Sequence, residues 1–240
     1  MGFSNGTPTI VTDGLVFAVD AGNGQSYVSA SLDTFSLVPP PTGSLTGSLI
    51  NSAEFDGINQ GTWAFDGVND YINFGITNSF LPFNGAMTVM GWFKSVASGV
   101  NQTIFTVRPA GGAKRWILQK DSNNDLYFVI RDLAGSPHYK EITSDTSLSI
   151  STWYHGCATW DGSNLNLYLN GISDATPVAC SAFYYNVATN YTTLGAGWVT
   201  SPSAPTNDFN GNIASVKYYN KALTAAEVLQ NYNATKGRFI

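Results

Sequence analysis

The sequence predicts an all-β fold, a two-sheet antiparallel sandwich closed by one short C-terminal helix, and three observations predict it. Short apolar runs recur at the even spacing of a sandwich, separated by Gly, Asn, Asp and Ser. Charged residues make up only 11% of the 240 residues, against the roughly 25% usual for soluble domains. The surface must therefore be covered by Asn, Ser, Thr and Gly. One segment alone, near the C-terminus, carries consistent helix start and stop signals.

The first strand is expected within Gly14 to Asp20, where Leu15, Phe17 and Val19 alternate with Val16 and Ala18. That pattern suits a strand buried on both faces. Residues 21–61 are rich in Ser, Gly, Pro and Thr and include Pro39-Pro40-Pro41. Consecutive prolines cannot pair within a sheet, so this stretch is expected to be a long connection wrapped over the sandwich.

Strands are then expected at Trp63–Phe65, Tyr71–Phe74, Met87–Lys94, Thr103–Val107, Arg115–Gln119 and Leu126–Arg131. Trp153–Trp160 and Leu165–Leu169 form a hairpin through Asp161-Gly162-Ser163-Asn164, since Asp-Gly tolerates positive φ. Residues 175–207 read as a second loop-rich region, and Ile213–Tyr219 as the last strand. The helix begins at Thr224, which with Glu227 forms a capping box. Leu223 and Val228 staple across it, and Val228, Leu229 and Tyr232 give an apolar stripe. Gly237 is expected to end it as a C′ residue.

The ordered set of motifs resembles the laminin-G-like, pentraxin-like branch of the concanavalin A-like lectin/glucanase superfamily. The resemblance runs through Phe65-Asp-Gly-Val-Asn-Asp-Tyr-Ile-Asn-Phe-Gly75, Met87-Thr-Val-Met-Gly-Trp-Phe-Lys94 and Trp153-Tyr-His-Gly-Cys-Ala-Thr-Trp-Asp-Gly162. It continues through Leu165–Gly171, Phe209–Tyr219 and Lys221–Val228, and covers residues 62–236. It implies a concanavalin A-like jelly roll. The opening Thr7–Asn23 and the ending Tyr232–Phe239 are similar to those of short structural proteins of tailed, especially marine, bacteriophages. Where such proteins carry a Trp-Tyr-Asp-Leu-Ser-Gly-like stretch, this chain has Asp33–Pro41. Residues 1–12 are accordingly read as an N-terminal arm and 13–240 as one domain.

Charge and composition exclude several roles. The net charge of −5, with eleven scattered Lys and Arg, does not suit nucleic acid, which needs clustered cations. No apolar run approaches the roughly 20 residues that span a bilayer. Met1–Gly6 lacks the basic and apolar regions of an export signal. The two cysteines, Cys157 and Cys180, form no disulfide framework.

Catalysis is not expected. A retaining glucanase of this superfamily needs a Glu-x-Asp-x-x-Glu pair of carboxylates. The sequence Glu54-Phe55-Asp56-Gly57-Ile58-Asn59 begins that motif and ends in Asn. Glu141 and Glu227 are the other glutamates, and His138 and His155 read as a turn residue and a structural strand residue. Calcium is the cofactor to consider: Asp20, Asp66, Asn69, Asp70 and Asp208 supply hard oxygen donors. The acidic residue that the family often carries in its last strand is replaced here by Ala214, so no cofactor is expected and turn capping is the alternative role for those side chains.

Sugars are gripped by aromatic faces and fixed polar groups, and the aromatic candidates are Trp198, Tyr184 and Tyr185 in the second loop region, with Trp116 and Tyr139. The sequence thus points to a non-enzymatic virion structural, decoration or fibre protein that displays a lectin-like sandwich. Its partners would be other virion proteins, copies of itself, or glycans. The alternative is a free extracellular carbohydrate-binding or adhesion module; a glycoside hydrolase is the least favoured reading.

Overall fold

In the computed structural model, residues 9–38, 45–76, 85–109, 115–131, 139–181, 190–197 and 205–240 are described. They contain β1 (Leu15–Asp20), β2 (Asp33–Phe35), β3 (Thr46–Ile50), β4 (Glu54–Asp56), β5 (Thr62–Asp66) and β6 (Tyr71–Ile76). There follow β7 (Met87–Ser95), β8 (Gln102–Pro109), β9 (Arg115–Lys120), β10 (Asp125–Arg131), β11 (Tyr139–Ser147) and β12 (Tyr154–Trp160). The chain ends with β13 (Asn164–Leu169), β14 (Ile172–Ser173), β15 (Val178–Ala179), β16 (Asn190–Leu194), β17 (Asn210–Tyr219) and helix α1 (Ala225–Thr235).

Two antiparallel sheets result. One runs β14-β13-β12-β7-β17-β5-β4, with β1 on β17 and β15 on β13; the other runs β11-β10-β9-β8-β16-β6-β3-β2. The expected sandwich is thus observed. Its core is the space between the sheets, filled by Phe17, Trp63, Phe93, Phe105, Trp116, Phe128 and Tyr218 among others. Met87, Val89 and Phe93 of β7 face this core, while Met90 lies in a second cluster with Cys157, Tyr219 and Val228. Burial of both faces explains why β7 reads as a nearly unbroken apolar run, and in β17 it encloses even Asn212, Ser215 and Lys217.

That second cluster is the seat of α1. Thr224 Oγ1 accepts a hydrogen bond from Glu227 N (3.3 Å), and Glu227 Oε2 accepts one from Thr224 N (2.8 Å). Leu223 and Val228 are buried, as the staple requires. Leu229 departs from the expected stripe and is 42% exposed. Asn231 is buried in its place and ties three segments together. Its Oδ1 accepts from Val11 N, its Nδ2 donates to the Tyr219 hydroxyl, and that hydroxyl donates to Val11 O. Of the N-terminal arm, Thr9–Thr12 are among the described residues; Val11 packs into the helix cluster and Gln230 Nε2 donates to Thr9 O.

Three expectations need correction. Residues 21–61 are not a bare connection: β2 and β3 extend one sheet and β4 edges the other. Part of the apolar cover over β3 comes from elsewhere, since a Cβ on Gly47 would collide with the Phe74 ring, and Leu49 is the strand's own core residue, so the strand carries little signal of its own. Residues 175–207 hold β16, whose Thr192 and Thr193 are buried although polar. And α1 does not stop at a left-handed Gly237. The C-cap is Lys236 in right-handed geometry, and a 3-10 turn, Lys236–Arg238, carries the chain on. The Pro39-Pro40-Pro41 run lies outside the described residues.

Candidate functional site

At one end of the sandwich, four connections meet around a cleft of about 460 Å³, within the roughly 300–1,000 Å³ range of small-ligand sites. The β5–β6 turn contributes Gly67, the β7–β8 loop contributes Ala97, Gly99, Val100 and Asn101, with Gln102 opening β8, and the β9–β10 turn contributes Ser122. Asn207 and Asp208 approach from the segment before β17, and Asn210 opens that strand.

Each piece is held by a local cause. Gly67 has φ +79°, which Asp66 supports by accepting from Val68 N at 2.8 Å. A side chain at Gly67 would strike Asn210. The β17 approach is pinned by Thr103 N donating to Asn207 O and Gly197 N to Thr206 O, both 2.8 Å. Val96 N donates to Asn210 O (2.9 Å), and Gly99 N to Asn124 Oδ1 (3.1 Å). Gln102, only 1% exposed, has its side-chain carbonyl on the Ser95 hydroxyl.

The electrostatics centre on Asp208. Its Oδ1 is buried without a hydrogen-bond partner, a costly arrangement for a carboxylate. Burial, opposed in part by a hydrogen bond from its own backbone N–H and reinforced by the carboxylates of Asp66 and Asp70, pushes it up to about 6. Asp70 is fully used: Oδ1 accepts from Ser52 N (2.8 Å) and Oδ2 from Asp66 N (2.9 Å). Val100, in the lining, is 47% exposed. The arrangement offers an acceptor and several amides beside aliphatic surface, which suits a polyhydroxylated ligand with apolar C–H faces.

The expected site residues scatter. Trp116 must be withdrawn as a ligand contact. It is 0% exposed, stacked on Tyr218 at 5.5 Å and against Phe105, because its place in β9 points it into the core. Tyr139 is 46% exposed at the start of β11, on the surface and apart from Trp116. Trp198, Tyr184, Tyr185 and His138 lie outside the described residues.

The five oxygen donors do not share one coordination sphere. Asp20 pairs with Ser215 of β17 while Asp66 pairs with Asn210, five residues apart, or about 17 Å at strand rise. The Asp20 carboxylate instead receives Arg238 Nη1 at 2.7 and 2.9 Å. Asn69 is exposed, its carbonyl accepting from Asn51 Nδ2. Among the described residues, no three His, Cys, Asp or Glu are placed to hold a metal ion. Asn101, Gln102, Asn207 and Asn210 were not singled out by the sequence. Their only signal is the density of amides around the β7–β8 loop and the entry to β17, which reads equally well as turn formation.

The carboxylate pair of a glycosidase is absent from its expected place. Asn59, with φ +49°, accepts from Trp153 Nε1 (3.0 Å) and donates to Arg238 O (2.6 Å). Glu141 accepts from the Tyr127 hydroxyl on β10, and Glu227 caps α1. His155 is buried with Nδ1 unpartnered, lodged against Trp92 and Tyr232. Cys157 and Cys180 are both free and buried.

Comparison with known proteins adds three structural neighbours and no curated relative, for no curated protein matches the chain. Domain 4 of AbnA, a GH43 extracellular arabinanase from Geobacillus stearothermophilus solved with arabinotriose, is 17% identical with TM-score 0.64. The alignment covers 91% of this chain and 98% of that domain. The botulinum neurotoxin serotype D binding domain is 14% identical with TM-score 0.67 over 92% of this chain, which spans only 51% of that one. The CBM40 of the Ruminococcus gnavus IT-sialidase, solved with α2,3-sialyllactose, is 14% identical with TM-score 0.52, covering 60% of this chain and 80% of that one. At these identities the neighbours establish the shared sandwich. The Laminin_G_3 family model covers residues 66–229, and with the motifs and two sheets described above this places the chain in the concanavalin A-like lectin/glucanases superfamily.

Proposed function

We propose that this protein is a non-enzymatic glycan-binding sandwich, and that the cleft beside Asp208 receives the sugar. One observation carries the reading: the half-buried carboxylate of Asp208, one of whose oxygens has no hydrogen-bond partner, lines a cleft together with Asn101, Gln102, Asn207 and Asn210. Sugar hydroxyls can donate to the Asp208 carboxylate, amides match the remaining hydroxyls, and the exposed Val100 takes part of the C–H face. Glycoside hydrolysis needs two carboxylates flanking the scissile bond, and Asp208 is the one carboxylate among the described lining residues. Solved neighbours that carry arabinotriose and α2,3-sialyllactose support a sugar as the class of ligand.

Display on a virion, as a structural, decoration or fibre protein, is the proposed setting, with an extracellular adhesion module as the alternative. The low charge of the chain and the likeness of its two ends to phage structural proteins support the first. No described helix is long and apolar enough to cross a membrane, consistent with either. Residues ahead of Thr9 are the proposed contact to neighbouring virion proteins or to copies of this chain, since Thr9–Thr12 are occupied by α1.

A glycan array probed with the wild-type protein and with Asn101→Ala tests the binding. Binding of at least one glycan, weakened about tenfold by the loss of one amide, is expected. An array without bound glycans refutes the reading. Mass spectrometry of purified particles tests the setting, and absence of the chain from them leaves the extracellular module.

A further inference from the structure

Resting on the glycan-binding reading, we infer that the cleft takes uncharged sugars and rejects glycans capped by sialic acid or another carboxylate. Its charge is of one sign. The described lining residues are Gly, Ala, Val, Ser, Asn and Gln apart from Asp208, with no Lys, Arg or His among them. Asp66 and Asp70 stand close enough behind Asp208 to disfavour its ionisation, so the negative field at the cleft has more than one source.

Lys120, bonded to the Val100 carbonyl of the lining loop, does not offset it. Lys120 is 1% exposed and spends its ammonium protons inward, on Val100 O (3.2 Å), Asp121 O (3.3 Å) and Asn124 Oδ1 (2.9 Å). It braces the back of the loops and leaves no proton for a ligand. Recognition of a sugar carboxylate draws on cationic or amide donors converging on it, and an ionised Asp208 in the same space repels it. Like charges about 6 Å apart at a protein surface cost at least tenfold in affinity. A bridging divalent cation would reverse this, but the described acidic residues form no such site.

The experiment is a binding comparison over matched pairs that differ only in the acidic group: lactose with α2,3-sialyllactose, and xylotriose with its glucuronic-acid-branched form. These are spotted on one array within a wider set of neutral glycans and their acid-capped counterparts. Wild type and Asp208→Asn, each checked for folding by circular dichroism, are probed in EDTA and again in calcium. The expected result is binding confined to neutral members, at least tenfold weaker with each acidic cap in either buffer. Asp208→Asn should lose affinity for the neutral sugar and lose most of the discrimination. Acid-capped members that bind as well as their neutral partners would overturn the selectivity and leave glycan binding standing, as would capped members that bind only in calcium. Neutral binding untouched by Asp208→Asn would overturn the assignment to this cleft. If no glycan binds, both readings fall together.

Discussion

Two carboxylates beside β17, Asp20 and Asp208, show how the same chemical group is used in opposite ways. Asp20 lies alongside Ser215 and receives both its oxygens' partners from Arg238, whose Nη2 also donates to Gly61 O (2.8 Å) and whose Nε donates to Asn59 O (3.1 Å). That guanidinium closes the C-terminal turn against the sheet, next to Phe239 stacked on Trp92 at 4.3 Å. Asp208, just ahead of the start of the same strand, has a buried oxygen with no partner and two acidic neighbours. A satisfied buried charge specifies structure. An unsatisfied one at a cleft costs stability, and that cost is reasonable only where a ligand repays it.

The first way to break the contrast is to destroy the satisfied side. Arg238→Ala should destabilise the fold by about 3 kcal/mol, because it strands the Asp20 carboxylate and two backbone carbonyls. Arg238→Lys should restore little, since one ammonium cannot reproduce the fork. Urea unfolding reads both; a loss below about 1 kcal/mol for Arg238→Ala would show that the C-terminal turn is decorative.

Acid should loosen the same helix-covered face. Burial first, and then the Lys217 charge, lower His155 to about 3 from the usual imidazole value of 6.5. Because the folded pKa lies below the unfolded one, stability is complete above about pH 6.5 and is lost as pH falls towards 3. Between pH 6.5 and 5 the loss should approach about 2 kcal/mol. Replacement by Phe, which keeps the stacking on Trp92 and Tyr232, should flatten that acid limb in a series of unfolding curves.

How much of this could be read from the sequence differs between these regions for a physical reason. The sandwich was legible because β5 to β10, β12, β13 and β17 each bury their own apolar side chains, and the capping box at Thr224 is local. β3 was not, because Phe74 covers Gly47 from the neighbouring strand. β11 was not, because its burial is confined to Ile142 and Ser144, as befits a polar edge strand. The cleft was half legible. Asp66, Asp70 and Asp208 were singled out, but as cation ligands; that two are saturated or turned into a turn cap, and one is left open, depends on backbone amides that only folding brings close. Trp116 went wrong for the converse reason, since a tryptophan on a strand gives no sign of which face it occupies.

The smallest stability effect is the one that bears most directly on the contrast. If the open carboxylate is kept for a ligand, removing its charge should make the empty protein more stable and the binding worse. The Asp208 pKa stands near 6 in the fold and near 3.8 in the unfolded chain, so the folded state holds its proton more tightly. The sign follows: Asp208 favours folding most at low pH, and that contribution is lost as pH rises through about 6. Asp208→Asn, neutral and nearly the same shape, should therefore gain about 1 kcal/mol at pH 8, after allowance for solvent screening. The gain should vanish below about pH 4, where the wild-type side chain is itself protonated. Thermal melts of both proteins at pH 8 and pH 4 read this difference. A variant that is less stable at pH 8 would mean that Asp208, like Asp20, holds the fold together, and the contrast between the two carboxylates beside β17 would collapse. Greater stability joined to weaker sugar binding is the pair of changes that a structural carboxylate cannot produce.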